Sequence, residues 1–321
     1  MNEMKKILAA DIGGTNSRFA FFQIDDRGCL KLVKSQWLKT EEAISFSHLL
    51  DNLRSGGFPL RPEEADIAVF AIAGPVEGGV KCSPPFISWD IDISQGEQEF
   101  GLRRAVLIND FVAQAYACRS PIGEAAEQIK RGHPDREGAA AVIGAGTALG
   151  KALILPDGRG GYLAISSEGG HASFPFESDE ECTFQQFLLN ELGDTYITWN
   201  RVVSGKGLSL IHQFLTGKKL EPKDVVTRML PESVTLQWAA RFYGRACRNF
   251  ALETLAAGGM YITGGVAART PEVVTHKAFL TEFVRSDTMA QVLTSIPVYL
   301  IRDQDAGLWG SAVYGRQKLR E

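Results

Sequence analysis

A chain of 321 residues, 45% hydrophobic and 22% charged with 33 glycines, has a globular composition and the length of two ordinary domains, which excludes a lone small module. Lysine and arginine number 34 against 38 aspartates and glutamates, a formal net charge of -4, so no global positive field marks nucleic acid or an anionic membrane as the main partner. The five cysteines, Cys29, Cys82, Cys118, Cys182 and Cys247, are scattered, odd in number and never spaced as CxxC, which argues against a disulfide framework or a cysteine-rich zinc site and fits a reducing cytoplasm.

The first apolar run follows Lys5-Lys6 and is cut short at Asp11, and no later run is long enough to cross a bilayer, so a soluble protein is expected. Along the chain, segments rich in β-branched and aromatic residues alternate with stretches of helical period, the pattern of an α/β fold with much parallel sheet. Strands are predicted at Lys6–Ile12, Arg18–Ile24, Leu30–Trp37, Ile67–Ala73, Ala105–Ile108, Ala140–Ile143, Lys151–Leu155, Tyr162–Ser166, Met260–Ile262 and Val298–Ile301. Helices are predicted at Glu42–Arg54, Phe111–Cys118, Asp179–Leu192, Gly205–Leu215, Thr235–Ala257 and Gly307–Lys318, the last as a basic amphipathic tail. Pro156-Asp-Gly158-Arg-Gly-Gly161 reads as a hairpin turn, because its glycines supply positive φ at little cost, and Lys130–Gly138 as a surface loop.

One internal similarity stands out. Asp11-Ile-Gly-Gly-Thr15 and Gly144-Ala-Gly-Thr147 each follow an apolar strand and lead into another, as if two related domains each presented a strand-turn-strand loop. Backbone N–H groups in such a turn can cradle a phosphate, although neither loop has the Walker or G-x-G-x-x-G spacing and either would also serve as a plain hairpin turn. Asp11 suits a hydrated Mg²⁺ beside a nucleotide phosphate, or an Asx-type turn. Arg18 suits a phosphate or an acidic neighbour.

Asn109-Asp110 falls between a predicted strand and a predicted helix, at the carboxyl end of a strand where ligands of α/β sheets gather. There Asp110 can accept a proton from a hydroxyl attacking phosphorus, or the pair can cap the helix. Glu168-Gly-Gly-His171 puts a carboxylate and an imidazole on one turn, a donor and acceptor set suited to sugar hydroxyls, with a structural histidine as the alternative. Gly264-Gly265 ends a buried strand near an adenosine or merely turns the chain, and Asp305-Ala-Gly307-Leu-Trp-Gly310 opens the last helix.

Taken in order, Asp11-Ile-Gly-Gly-Thr-Asn-Ser-Arg18, Ile108-Asn-Asp110, Gly144-Ala-Gly-Thr-Ala-Leu-Gly150, Glu168-Gly-Gly-His171, Ser204-Gly-Lys-Gly207, Gly264-Gly265 and Gly307-Leu-Trp-Gly310 resemble the bacterial glucokinase family over nearly the whole chain. The resemblance implies an actin-like (ribonuclease H-like) ATPase fold of two domains with ATP and sugar in the cleft between them. The expected division is a small domain over residues 1–110, rejoined by the helix 304–321, and a large domain over 111–303. It further implies phosphate binding by Asp11, Gly13, Gly14, Thr15, Asn16 and Arg18 and by Gly146 and Thr147, and adenosine binding by Gly264 and Gly265. Asp110 would be the base at the sugar 6-hydroxyl, Asn109, Glu168, His171 and Asn200 the sugar ligands, and Asp11 the holder of Mg²⁺ through water. The related repressor/kinase family binds zinc at a similar histidine beside a cysteine-rich motif; that motif is missing here, so His171 is expected to contact sugar.

Three positions depart from the family pattern: Asn200 where a glutamate is usual before Arg201-Val-Val-Ser-Gly205, Ala148 where glycine is usual, and Ser83-Pro84-Pro85 in place of a Thr-Asn pair ahead of Trp89. Positive φ at Ala148 would strain the turn. The expected activity is ATP-dependent phosphorylation of a hexose, glucose first, by a homodimer. Another hexose or an amino sugar is the alternative substrate, and a non-catalytic sugar sensor the alternative class.

Overall fold

The computed structural model describes residues 4–321, and the chain divides into two units: the first runs to Ala125 and takes in Asp303–Glu321, the second is Ala126–Arg302. In the first unit the apolar runs form β1 (Lys5–Ile12), β2 (Asn16–Ile24), β3 (Leu30–Lys39), β4 (Ile67–Ile72) and β7 (Ala105–Asn109), with a short pair, β5 (Lys81–Cys82) and β6 (Ile91–Asp92), between the last two. The sheet order is β3-β2-β1-β4-β7; β1, β2 and β3 are antiparallel neighbours, while β1, β4 and β7 run parallel. Every residue of β4 is buried, as a strand covered on both faces requires. Helix Phe46–Ser55 covers one face, burying Leu49, Leu50 and Leu53 against Leu8, Phe70 and Ile72. Helices Asp110–Ala117 and Ala306–Lys318 cover the other, packing Ala113, Leu308 and Ala312 on Ile7, Ala9 and Val69.

The second unit repeats this plan. Its strands are β8 (Glu127–Lys130), β9 (Ala140–Ala145), β10 (Leu149–Pro156), β11 (Tyr162–Ser167), β12 (Gly259–Thr263) and β13 (Val298–Leu300), in the order β11-β10-β9-β12-β13-β8. As in the first unit, three antiparallel neighbours, β11, β10 and β9, are followed by parallel strands, β12 and β13. The two glycine loops therefore occupy matching places, β1 to β2 and β9 to β10, and the weak internal similarity reflects a repeated topology. The long helix Val234–Thr254 supplies Trp238, Phe242, Tyr243 and Phe250 to the core beside Phe184 and Trp199.

Several sequence expectations need correction. The helix expected from Glu42 starts at Phe46, because the Ser45 hydroxyl accepts from His48 N–H and caps it there, leaving Thr40–Glu42 as a separate turn. The C-terminal helix is no amphipathic tail: Ala306, Gly307, Gly310, Ser311, Ala312 and Gly315 are all buried, and only its last turn carries Arg316 and Lys318. At Gly310 a Cβ would lie 1.7 Å from the Ala113 carbonyl oxygen, so only glycine allows this helix to lie on Asp110–Ala117. That contact joins the helix Asp110–Ala117 to the first unit, which runs to Ala125. Lys130 ends β8 and its ammonium donates to the carbonyls of Arg131, Thr294 and Ile296, so the loop expected from Lys130 begins one residue later. The hairpin turn at Pro156–Gly161 forms as expected, with Asp157 Oδ1 accepting from the N–H groups of Arg159 and Gly161.

Candidate active site

In the first unit, β1 ends beside β2 with Asp11 directly opposite Arg18. Arg18 Nη2 donates to Asp11 Oδ2 at 2.5 Å, Nη1 donates to the Gln304 carbonyl and lies 3.9 Å from Asp305, and the guanidinium stacks 4.9 Å over the Trp37 ring. Arg18 thus has an acidic neighbour in Asp11. Gly307 leaves room for this carboxylate, since a Cβ there would stand 2.8 Å from Asp11 Oδ2. Between the strands Gly13 N–H donates to the Asn16 carbonyl, while Thr15 and Asn16 are exposed. A Cβ on Gly14 would meet Phe86 at 2.7 Å, so the loop leans on the segment that follows Ser83-Pro84-Pro85.

Asn109 is the last residue of β7 and the cap of the next helix. Its Oδ1 accepts from Phe111 N–H at 2.9 Å and its Nδ2 donates to the Gly74 carbonyl at 3.1 Å, which fixes the side chain in both directions. Asp110 opens the helix, half-buried, with Oδ1 accepting from Phe111 N–H at 3.0 Å. Gly74, at φ 105°, packs against Pro84, Pro85 and Cys82. Burial, and then the negative fields of Asp110, Asp90 and Glu77, push the Cys82 thiol up to about 11. The divergent Ser83–Pro85 segment is thus gathered with Asn109 through Gly74. Sequence reasoning missed Gly74, whose only signal was a glycine just beyond an apolar strand.

In the second unit the end of β9 is pinned by Tyr243, buried in the long helix, whose hydroxyl accepts from Ala145 N–H at 3.1 Å. No local motif marks Tyr243, which lies 98 residues away from its partner. The loop itself closes by Gly146 N–H to the Ala148 carbonyl, and the Gly146 carbonyl accepts from Gly205 N–H, tying Ser204-Gly-Lys-Gly207 to it. Ser204 caps the helix Gly205–Thr216 through Gly207 N–H. Ala148 does not have positive φ, the only non-glycine residue in that region among the described residues being Leu255, so the expected strain at Ala148 is absent. Gly264, at φ 86°, leaves no space for a side chain: a Cβ would lie 2.7 Å from the Ala145 carbonyl oxygen, so Gly264-Gly265 packs directly against the loop.

Glu168 precedes and His171 ends a single turn of 3₁₀ helix, Gly169–His171, after β11, with Oε2 and Nε2 3.8 Å apart and both side chains exposed. A Cβ on Gly170 would come within 2.2 Å of the Leu149 carbonyl oxygen and 2.5 Å of Asn200 Oδ1, which brings the turn, the phosphate-type loop and Asn200 into one cluster. Asn200 lies inside the short helix Trp199–Val202 and its Oδ1 accepts from Leu149 N–H at 2.8 Å. Thr198 holds the cap position of that helix. Two carboxylates of this unit, Asp194 and Glu177, are held by arginines. Asp194 takes a bidentate pair from Arg201 at 2.7 and 3.1 Å, and Glu177 is held by Arg248, Arg245 and Arg285.

The repeated sheet, with a glycine loop joining β1 to β2 in one copy and β9 to β10 in the other and a strand-end aspartate, is the actin-like ATPase arrangement of the sugar kinases. It is shared with the crystal structure of a glucokinase from an Antarctic psychrotroph, at a TM-score of 0.82 and 26% identity over 97% of this chain and 99% of that one. The glucokinase of Neisseria meningitidis serogroup C (strain 053442) is 31% identical over 320 residues, covering 95% of this chain and 93% of its own. That of Nostoc punctiforme is 29% identical over 342 residues, covering 97% and 98%. A family model described as Glucokinase matches residues 8–318. The chain belongs to the glucokinase family and is a hexose kinase.

Proposed function

We propose that the protein transfers the γ-phosphoryl group of ATP to the 6-hydroxyl of glucose, with Asp110 as the base. The observation that carries this reading is the setting of Asp110: it stands at the carboxyl end of β7, in the first turn of a helix whose cap, Asn109, is fixed from both sides. Asp110 takes the hydroxyl proton as the oxygen attacks phosphorus, and Asn109, Glu168, His171 and Asn200 orient the sugar by directional hydrogen bonds. The loops Gly13–Asn16 and Gly146–Thr147 hold phosphate oxygens through backbone N–H groups, and Gly264-Gly265 lies against the adenosine. Because the transition state of phosphoryl transfer is loose, rate comes mainly from holding donor and acceptor in line and from electrostatic stabilisation.

Magnesium fits this site. Asp11 Oδ2 is engaged by Arg18, while Oδ1 has no hydrogen bond to the described residues and can accept from a metal-bound water, the manner in which this ion is commonly held. When bound, the ion neutralises phosphate charge. The protein acts in the cytoplasm as a homodimer, an expectation carried by the family. Asn200, whose Oδ1 already accepts from Leu149 N–H and whose Nδ2 can donate, favours a second substrate reading in which another hexose or an acylated amino sugar is also phosphorylated. A coupled assay of ADP release across a panel of hexoses tests both readings: glucose is expected to be turned over, and a protein that releases ADP with no hexose of the panel contradicts them.

A further inference from the structure

Lys151 is the third residue of β10, which follows the phosphate-type loop, and it is 2% exposed. Its ammonium lies 5.1 Å from the Phe250 ring centroid and 5.5 Å from that of Trp199, with no hydrogen bond or ion pair to another described residue. Glu253 is the carboxylate whose field reaches it, Cys247 the other titratable neighbour, and burial pushes its pKa down. An ammonium on a side chain this deeply buried, with no carboxylate in ion-pair contact, is costly to the fold, and methionine would fill nearly the same volume without that cost. Cation–π contact offsets only part of the loss. A residue that the fold would hold more cheaply in neutral form is a residue to examine for function.

What lies over Lys151 is the Glu168–His171 turn. The Cβ position of Gly169 is 3.4 Å from Lys151 Cδ and 3.5 Å from Nζ, so the ammonium supports the turn from its core side, next to the residue that follows Glu168. Lys151 also packs on Trp199, the neighbour of Asn200, whose Oδ1 holds Leu149 two residues back along β10. One buried cation therefore touches both pieces of chain that carry the unit's candidate sugar ligands. A sugar settling on the turn strips water from the Glu168 carboxylate, and a fixed positive charge beneath offsets that desolvation.

We propose that Lys151 is a positioning residue for sugar binding, a buried countercharge beneath the Glu168 turn that raises hexose affinity without touching the sugar. This rests on reading that turn as the sugar-binding element. The test measures glucose KM, ATP KM, kcat and thermal unfolding for wild type, Lys151→Met, Glu168→Gln and the double variant. Lys151→Met is expected to melt no lower than wild type, to raise glucose KM about tenfold, as a charge-assisted contribution of this kind implies, and to leave ATP KM and kcat within about threefold. In the Glu168→Gln background the same change is expected to add less than about twofold, because the charge it compensates is gone. Glucose KM unchanged in Lys151→Met while Glu168→Gln raises it overturns the proposal alone. Glucose KM unchanged in Glu168→Gln overturns the reading of the turn. A Lys151→Met protein that melts lower and loses ATP and glucose affinity alike makes the lysine a packing residue and also overturns the proposal. Lys151→Arg, which keeps the cation, is expected to retain glucose KM more nearly than the methionine variant.

Discussion

Asn200 shows how one side chain decides more than its identity suggests. Its carbonyl oxygen already accepts from Leu149 N–H, and its Nδ2 offers donors to a ligand where a carboxylate would offer only acceptors. Charge-assisted hydrogen bonds contribute roughly 1.5–3 kcal/mol against about 0.5–1.5 for neutral ones, a difference of about tenfold in affinity. Asn200→Glu is therefore expected to lower glucose KM by about that factor, and equal constants for every hexose in both proteins would remove Asn200 from the sugar site. The cysteines offer a simpler check at this scale. Burial pushes the Cys82 thiol up to about 11 and Cys118 up to about 12, and raises Cys247 as well, whereas Cys29 and Cys182 are exposed. Because the thiolate is the reactive form, a disulfide reagent at pH 8 is expected to modify Cys29 and Cys182 quickly in the native protein and all five only after unfolding. Rapid reaction of a third thiol would contradict the burial described.

Elements are held in register by contacts of very different sequence range, and this governs what could be read in advance. The hairpins and both glycine loops were legible because their signals are local: alternating apolar runs, glycines at the turns, Asn109-Asp110 at a strand-to-helix junction. The expected strands and the repeated loop topology follow from those signals. What escaped was non-local. Arg245, 1% exposed, binds Glu181 at 2.7 and 3.0 Å, Glu282 at 3.0 Å and the Pro175 carbonyl at 2.8 Å, joining residues up to 70 positions apart. Arg248 adds a second donor to Glu282. The network fixes the segment after His171, and no periodicity or motif announces it. Tyr243, Gly74 and Lys151 escaped for the same reason, as did the arginines that surround Glu177. Removing one partner from a buried charge cluster leaves the others desolvated and unpaired, typically a loss of about 3–5 kcal/mol. Arg245→Met is expected to lose stability on that scale in urea unfolding at pH 7, and a loss below about 1 kcal/mol would show that the cluster is solvated or readily rearranged.

At the scale of the whole molecule, one sheet plan is used twice, and each copy sets a glycine loop between two antiparallel neighbours, β1 and β2 in one and β9 and β10 in the other. The C-terminal helix rejoins the first unit, laying Gly307 beside Asp11 and Gly310 on Ala113, so the last residues of the chain support the first loop. A ligand that binds only the folded chain stabilises it by RT ln(1 + [L]/Kd), about 2.7 kcal/mol at a hundredfold excess over Kd. Glucose is accordingly expected to raise the melting temperature, and a series in which no hexose does so, with or without nucleotide, would count against sugar binding. The most direct measurement of the central claim is steady-state phosphorylation of glucose by wild type and Asp110→Asn with ATP and magnesium. The amide keeps the volume of Asp110 and can still accept from Phe111 N–H, so fold and glucose binding are expected to survive. It cannot take the hydroxyl proton, and kcat is expected to fall by about 10²–10⁴. A variant that keeps more than about a tenth of wild-type kcat would leave Asp110 as a helix residue and contradict the account.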